Sequence, residues 1–185
     1  MVYETESWPY MPAKYIGVKR TNPVRLGVVH DMEFPERITA AEDVARYFQN
    51  PDAGTKPSAH VTIDSDSVIQ CVRDSYVANA APGANHDGIQ LELAGYGNQT
   101  PGQWRDKYSL ALLAIAADVA AQYSLKYDIP AIHLSNAELL AGKRGWIGHY
   151  QASEVYKKST HTDPGPNFPW ARFILLMQVM ISERK

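Results

Sequence analysis

Apolar residues recur along this chain with two different periods, and each period marks its elements. Tyr108, Leu112, Ile115, Val119 and Tyr123 follow helical spacing and predict a long helix running to about 125. Thr100-Pro101-Gly102-Gln103 supplies a start for it: a capping hydroxyl, a proline in the first turn and a reciprocal glutamine. Phe173, Leu176, Met177 and Met180 form the inner face of a terminal helix over about 169–182. Val44, Tyr47 and Phe48 stripe a third helix over about 39–49, with Thr39 and Glu42 spaced as a capping box. Ser135 and Glu138 are spaced the same way and cap a short helix to about 141.

A two-residue rhythm or a β-branched run marks the strands. Arg25–His30 is a strand that ends on a polar residue, and Gly88–Leu93 is another, stopped by Gly95. Residues 58–64 and 68–72 alternate on either side of Asp64-Ser65-Asp66-Ser67, whose turn chemistry predicts a β-hairpin. Tyr15–Val18, Ile129–Leu134 and Trp146–His149 are shorter strand candidates. Residues 1–12 read as an extended arm, and Ala80–His86 as a loop. Strands and helices mix throughout, which predicts an α/β fold: a central mixed sheet flanked by helices.

Composition narrows the class without changing that picture. The 185 residues suffice for one domain over 1–185, and 45% hydrophobic with 21% charged residues is ordinary for a globular protein. A net charge of −2 gives no electrostatic reason to expect nucleic acid or an anionic membrane as partner. Cys71 has no second cysteine to pair with and sits in an apolar alternation, so it reads as a buried, inert thiol. The first residues carry acids and no apolar core, unlike a secretory signal, and the longest apolar stretches read as too short for a bilayer span. Synthesis in a cytoplasm, without an export address or membrane insertion, is the expectation.

The chemistry concentrates in polar residues at the ends of apolar segments. His30 closes one strand; His149 follows Gly148 at the end of another segment, where glycine permits close approach. Asp163 precedes Pro164, which biases its backbone towards an extended form. Taken alone, Thr162-Asp163-Pro164-Gly165 is a turn signal; its conjunction with two well-placed histidines changes the reading. Two imidazoles and a carboxylate are good zinc ligands, and a catalytic zinc keeps three protein ligands and an open position. Glu92 lies within an otherwise apolar strand. His60 reads as a core or supporting residue, His133 as structural, and His86 as a loop residue in reach of substrate. Tyr150, Trp146 and Asn85 are groove candidates, against the ordinary role of aromatic residues in packing.

Four segments carry a resemblance to a known family. Val28-Val29-His30-Asp31, Ser58–Ile63, Gly88–Tyr96 and Gly148-His149 with Thr162–Pro166 and Phe168–Trp170 follow one another in the order of the type 2 N-acetylmuramoyl-L-alanine amidases. That family shares its fold with peptidoglycan-recognition proteins. Ala80–His86 and Leu93–Tyr96 most resemble amidase domains of lysins from phages of actinobacteria. The resemblance implies one zinc ion held by His30, His149 and Asp163, with Glu92 as general base. His161 stands where many relatives have lysine and is implied as the oxyanion stabiliser; Asn79 stands where many have tryptophan. Zinc in such a site lowers the pKa of its water to roughly 7.

The implied substrate is peptidoglycan or its muropeptides, cut between N-acetylmuramic acid and L-alanine. A phage endolysin domain, made in the host cytoplasm and reaching the wall once the membrane is opened, is the leading expectation. A separate wall-binding module in a longer parent chain would suit it. A cytoplasmic amidase recycling wall fragments and a non-catalytic peptidoglycan-binding protein are the alternatives.

Overall fold

Strands β1 (Leu26–Asp31), β2 (Val61–Ile63), β3 (Val68–Gln70), β4 (Gly88–Leu93) and β5 (Gly145–Gly148) form one sheet in the order β3-β2-β4-β1-β5. In the computed structural model, which describes residues 4–184, β2, β4, β1 and β5 run parallel and only β3 is antiparallel. The sheet is therefore mixed, as the pattern predicts. β1 lies between two parallel neighbours and is buried along its whole length. Burial on both faces explains why Leu26–Val29 reads as a continuous apolar run rather than an alternation.

Helices cover both faces. On one, α2 (Lys107–Tyr127) and α5 (Trp170–Glu183) pack Leu112, Leu113, Ala116, Tyr123, Phe173 and Met177 against Val29, Ile89, Leu91 and Trp146. Full burial of a side chain such as Leu112 contributes roughly 1.5–3 kcal/mol. On the other, α1 (Ala40–Gln49) packs Ala41, Val44 and Phe48 over Ala59, Ile69 and Cys71. Beside it, α3 (Asn136–Leu140) and α4 (His149–Tyr156) place Leu139 and Ala152 over Leu26, Val28 and Ile147. His30, Gln90 and Glu92 alternate with the α2-facing residues and so point to this second face.

Several local expectations change. Tyr15–Val18 is not a strand; Gly17 and Val18 exchange backbone hydrogen bonds with Val77, and one isolated bridge follows at Lys19, to Tyr76. Ile129–Leu134 likewise contributes only the bridge from His133 to Trp146, with Pro130 unable to donate to a ladder. The Thr100–Gln103 pair closes a single 3-10 turn over Gln103–Arg105, and α2 starts after Asp106, whose side chain accepts from Ser109 N–H. Thr39 caps nothing with its side chain; its hydroxyl donates to Asp43, and the free Ala41 N–H goes to Asp64 instead. The arm runs beside β3, where Met11 N–H reaches Gln70 O, while positions 1–3 lie outside the described residues. One reading is refined: α2 contains an 18-residue window with a mean hydropathy of 1.3, long and apolar enough to cross a membrane, yet most of that window is buried in the core here.

Candidate metal centre

The parallel register of β1 and β4 sets His30 directly opposite Glu92 near the carboxyl ends of the two central strands. β5 runs beside β1 as far as the Val29–Gly148 pair, and His149 follows at once as the first residue of α4. The turn at Gly148 is tight: a Cβ there would lie 2.7 Å from the Tyr150 ring and 2.8 Å from Pro164. Tyr150 N–H then donates to Asp163 O at 3.0 Å, which ties the loop carrying Asp163 to the start of α4. Gly165 has φ +87, a left-handed conformation that glycine adopts freely, and it passes against the backbone of Gly97.

These elements bring three side chains from 30, 149 and 163 to one point. His30 Nδ1 lies 3.1 Å from one oxygen of Asp163, and His149 Nδ1 lies 3.2 Å from the other. All three are buried, and their ligating atoms lie within 4.8 Å of one another. A tetrahedral ion with bonds of roughly 2.0–2.1 Å spaces its ligand atoms roughly 3.3 Å apart. The donor set and its spacing fit a divalent ion. His161 stacks on His149 with ring centroids 4.2 Å apart and its Nδ1 3.4 Å from Asp163, leaving 63% of its side chain exposed.

The charges in this cluster hold one another. Burial opposes a charge on His30, but Glu92 and Asp163 outweigh it and raise the imidazole to about 9. Burial would likewise raise Asp163, yet hydrogen bonds from His149 and His30 keep its carboxylate well below the usual range. His149 is lowered, by burial first and then by the neighbouring His30 charge. Glu92, partly buried, rises to about 7 through desolvation and the Asp163 charge, with His30 pulling the other way. An acid near neutrality in a groove is a candidate proton carrier.

The centre opens at one end of a groove of about 630 Å³. His30, Glu92, His149, His161 and Asp163 line that end; Val44, Tyr47, Phe48, Lys56 and Asn79 continue it along α1. Asn79 thus lies in the groove without a large ring. The structure does not bring Asn85, His86 or Tyr150 to its lining. Asn85 Oδ1 closes its own loop by accepting from Ala80 and Ala81 N–H, and His86 O accepts from Arg20. Trp146 is core, donating its indole N–H to Ser124. Gln90, which no sequence motif singles out, lies two residues before Glu92 on one strand and so on the same face.

With this geometry in hand, residues 20–166 match the family described as N-acetylmuramoyl-L-alanine amidase. The chain belongs to that family. The amidase shares its fold with solved structures of low identity. One is the Staphylococcus aureus hydrolase AmiA in complex with its ligand, at 18% identity and a TM-score of 0.73, covering 98% of this chain and 86% of that one. Another is the endolysin amidase LysCS from Clostridium intestinale, at 16% identity and 0.58, covering 96% and 94%. A mutant endolysin from Bacillus subtilis aligns at 18% and 0.57, covering 96% and 99%. None of the curated proteins matches the sequence.

Proposed function

We propose that this amidase is zinc-dependent, that it cuts the amide between the lactyl group of N-acetylmuramic acid and the L-alanine of the stem peptide, and that it serves as the catalytic domain of a phage endolysin. The convergence of His30, His149 and Asp163 carries the zinc reading. Zinc held there would supply a Lewis acid and an activated water at neutral pH.

The chain's own groups do the rest. Asp163 stays ionised and, as the third ligand beside His30 and His149, would balance part of the ion's charge. Glu92, across the strand pair from His30, takes the proton of the attacking water and returns it to the leaving amine of L-alanine. His161, exposed at the groove and stacked on His149, donates a hydrogen bond to the oxygen on which negative charge grows. The groove along Tyr47, Phe48 and Lys56 receives the flanking sugar or peptide. Asn85, His86 and Tyr150 act indirectly, by shaping the loops behind the centre.

The endolysin role has support from the resemblance of Ala80–His86 and Leu93–Tyr96 and from two of the solved relatives named as endolysins. In that role the enzyme is made in the host cytoplasm and acts on the wall after permeabilisation. Digestion of purified peptidoglycan, with mass analysis of products with and without chelator, tests the proposal. Chelator-sensitive release of peptides with free L-alanine termini is expected. A zinc-free protein that releases none contradicts it, and activity confined to soluble anhydro-muropeptides favours a recycling enzyme.

A further inference from the structure

His30 offers two ring nitrogens, and only one can face the centre. Nδ1 points at Asp163, 3.1 Å away, while Nε2 points back into the protein and meets Gln90 Oε1 at 2.9 Å. Gln90 is fully buried. Its other amide atom, Nε2, donates to Ala84 O at 3.1 Å. A carbonyl oxygen can only accept, so that bond fixes which end of the amide faces Ala84. The flipped amide would set its oxygen against the Ala84 oxygen. Gln90 therefore presents an acceptor to His30, and an acceptor requires a hydrogen on His30 Nε2.

The support behind this amide is itself held in place. Ala84 N–H donates to Ala81 O at 2.9 Å, and Asn85 Oδ1 accepts from Ala80 and Ala81 N–H. Gly88 leaves the space in which the two groups meet: a Cβ there would lie 2.5 Å from Ala84 O and 2.9 Å from Gln90 Nε2. His149 has no comparable partner. Its Nε2 faces the Ser159 hydroxyl at 3.4 Å, and a hydroxyl can donate or accept.

We propose that Gln90 is a positioning residue that locks His30 in the Nε2–H tautomer, so that its Nδ1 lone pair is the one offered to the metal, and that Gly88 and the Ala84 carbonyl hold Gln90 in the required orientation. The proposal rests on the reading of His30 as a metal ligand. It assigns the loop Ala80–Asn85 a function beyond any contact with substrate: it aims the carbonyl that aims the amide. Partners of this kind fix ring orientation and tautomer, and their loss typically costs 10–100-fold in metal affinity.

The test compares zinc affinity, by competition with a chromophoric chelator, for wild type, Gln90→Met and Gln122→Met. Gln122 is a buried glutamine elsewhere and controls for general loosening. Gln90→Met is expected to weaken zinc roughly 10–100-fold, while Gln122→Met stays within a few-fold of wild type. Zinc binding by Gln90→Met within twofold of wild type overturns the lock. Should Gln90→Met not fold, nitrogen-15 NMR of the zinc-loaded wild type decides alone: a proton on His30 Nε2, coupled across to Gln90, is expected, and a proton on Nδ1 overturns the proposal. A wild type that binds no zinc removes the metal reading as well, whereas tight wild-type binding with an indifferent Gln90→Met removes only the lock.

Discussion

His30 and Glu92 stand opposite each other in the parallel pairing of β1 and β4, one buried and one facing the groove. Their strand register fixes the distance between an imidazole of the His30–His149–Asp163 cluster and a carboxylate without recourse to a loop, and sites on strands are held more tightly than sites on loops. Glu92→Gln keeps the shape and removes the proton acceptor. It should retain fold and zinc while kcat falls roughly 10²–10⁴-fold, the range for loss of a general base. Steady-state hydrolysis of a muropeptide beside zinc content checks this, and near-normal turnover would take Glu92 out of the mechanism.

Asp163 predicts a large linkage between metal and stability. It is the shared acceptor for both histidines, and it comes from a loop that the sheet does not hold. A ligand bound only by the native state stabilises it by about 4 kcal/mol when its free concentration is 1,000 times Kd. For a chain of this size that is roughly 10 °C in melting temperature. Zinc should raise the melting temperature of chelator-treated wild type by about that amount and leave Asp163→Asn unmoved. Equal shifts in the two proteins contradict the ligand role.

His161 is tied to the site by a stacking contact and little else. Its removal should therefore leave structure and zinc affinity alone and act on the reaction. His161→Ala is expected to lower kcat roughly 10²-fold with a small change in KM, as for loss of one oxyanion donor. His161→Lys, which restores a donor, should recover most of it. Loss of zinc from His161→Ala, seen by metal analysis, would instead make His161 a support for His149.

The elements legible in the sequence were those whose own side chains meet the core. α2 and α5 carry apolar residues at helical spacing and appear within a few residues of the pattern, and β1 and β4 announce themselves by apolar runs. α4 was not legible: His149-Tyr150-Gln151-Ala152-Ser153-Glu154 has no apolar stripe, and it is held by Gln151 accepting from Gly148 N–H and by packing of Ala152. The spacing of Gly148 and Gln151 was the available signal. At α1 a local rule lost to a distant partner, since Asp64 from the β2–β3 turn takes the N–H that a cap at Thr39 would have served. The three residues of the metal cluster were legible through motif resemblance. Gln90 was not, because its role depends on Ala84 and Gly88, a contact that no periodicity reveals.

Cys71 offers a simple check on the second core layer. Its thiol is fully buried under α1 and pushed up to about 12 by desolvation, with Thr62 offsetting a little. The thiolate is the reactive form, so native protein should resist an aromatic disulfide reagent at pH 8 and release one equivalent only on unfolding. Rapid reaction of the native protein, faster than its unfolding, contradicts burial of this residue.

His60 predicts how stability responds to acid. Its Nδ1 accepts Gln90 backbone N–H at 2.9 Å, so the neutral ring carries its hydrogen on Nε2 and donates to Tyr76 O at 3.1 Å. A second proton would break the bond to Gln90 and add a buried charge 3.0 Å from the Arg20 guanidinium. Burial, then Arg20, lowers the ring to about 4, with Asp74 pulling weakly the other way. An unfolded histidine titrates near 6.5. Between those values the unfolded state binds the extra proton and the native state does not. The stability His60 contributes is therefore complete above about pH 6.5 and is lost as pH falls towards 4, on the order of 3 kcal/mol. His60→Asn keeps an acceptor near the Nδ1 position and removes the titration. Urea midpoints at pH 7 and pH 4.5 should fall further for wild type than for His60→Asn, because the other acid-sensitive groups, Asp163 among them, are common to both. Parallel losses in the two proteins would show that His60 does not set the acid limit of the fold.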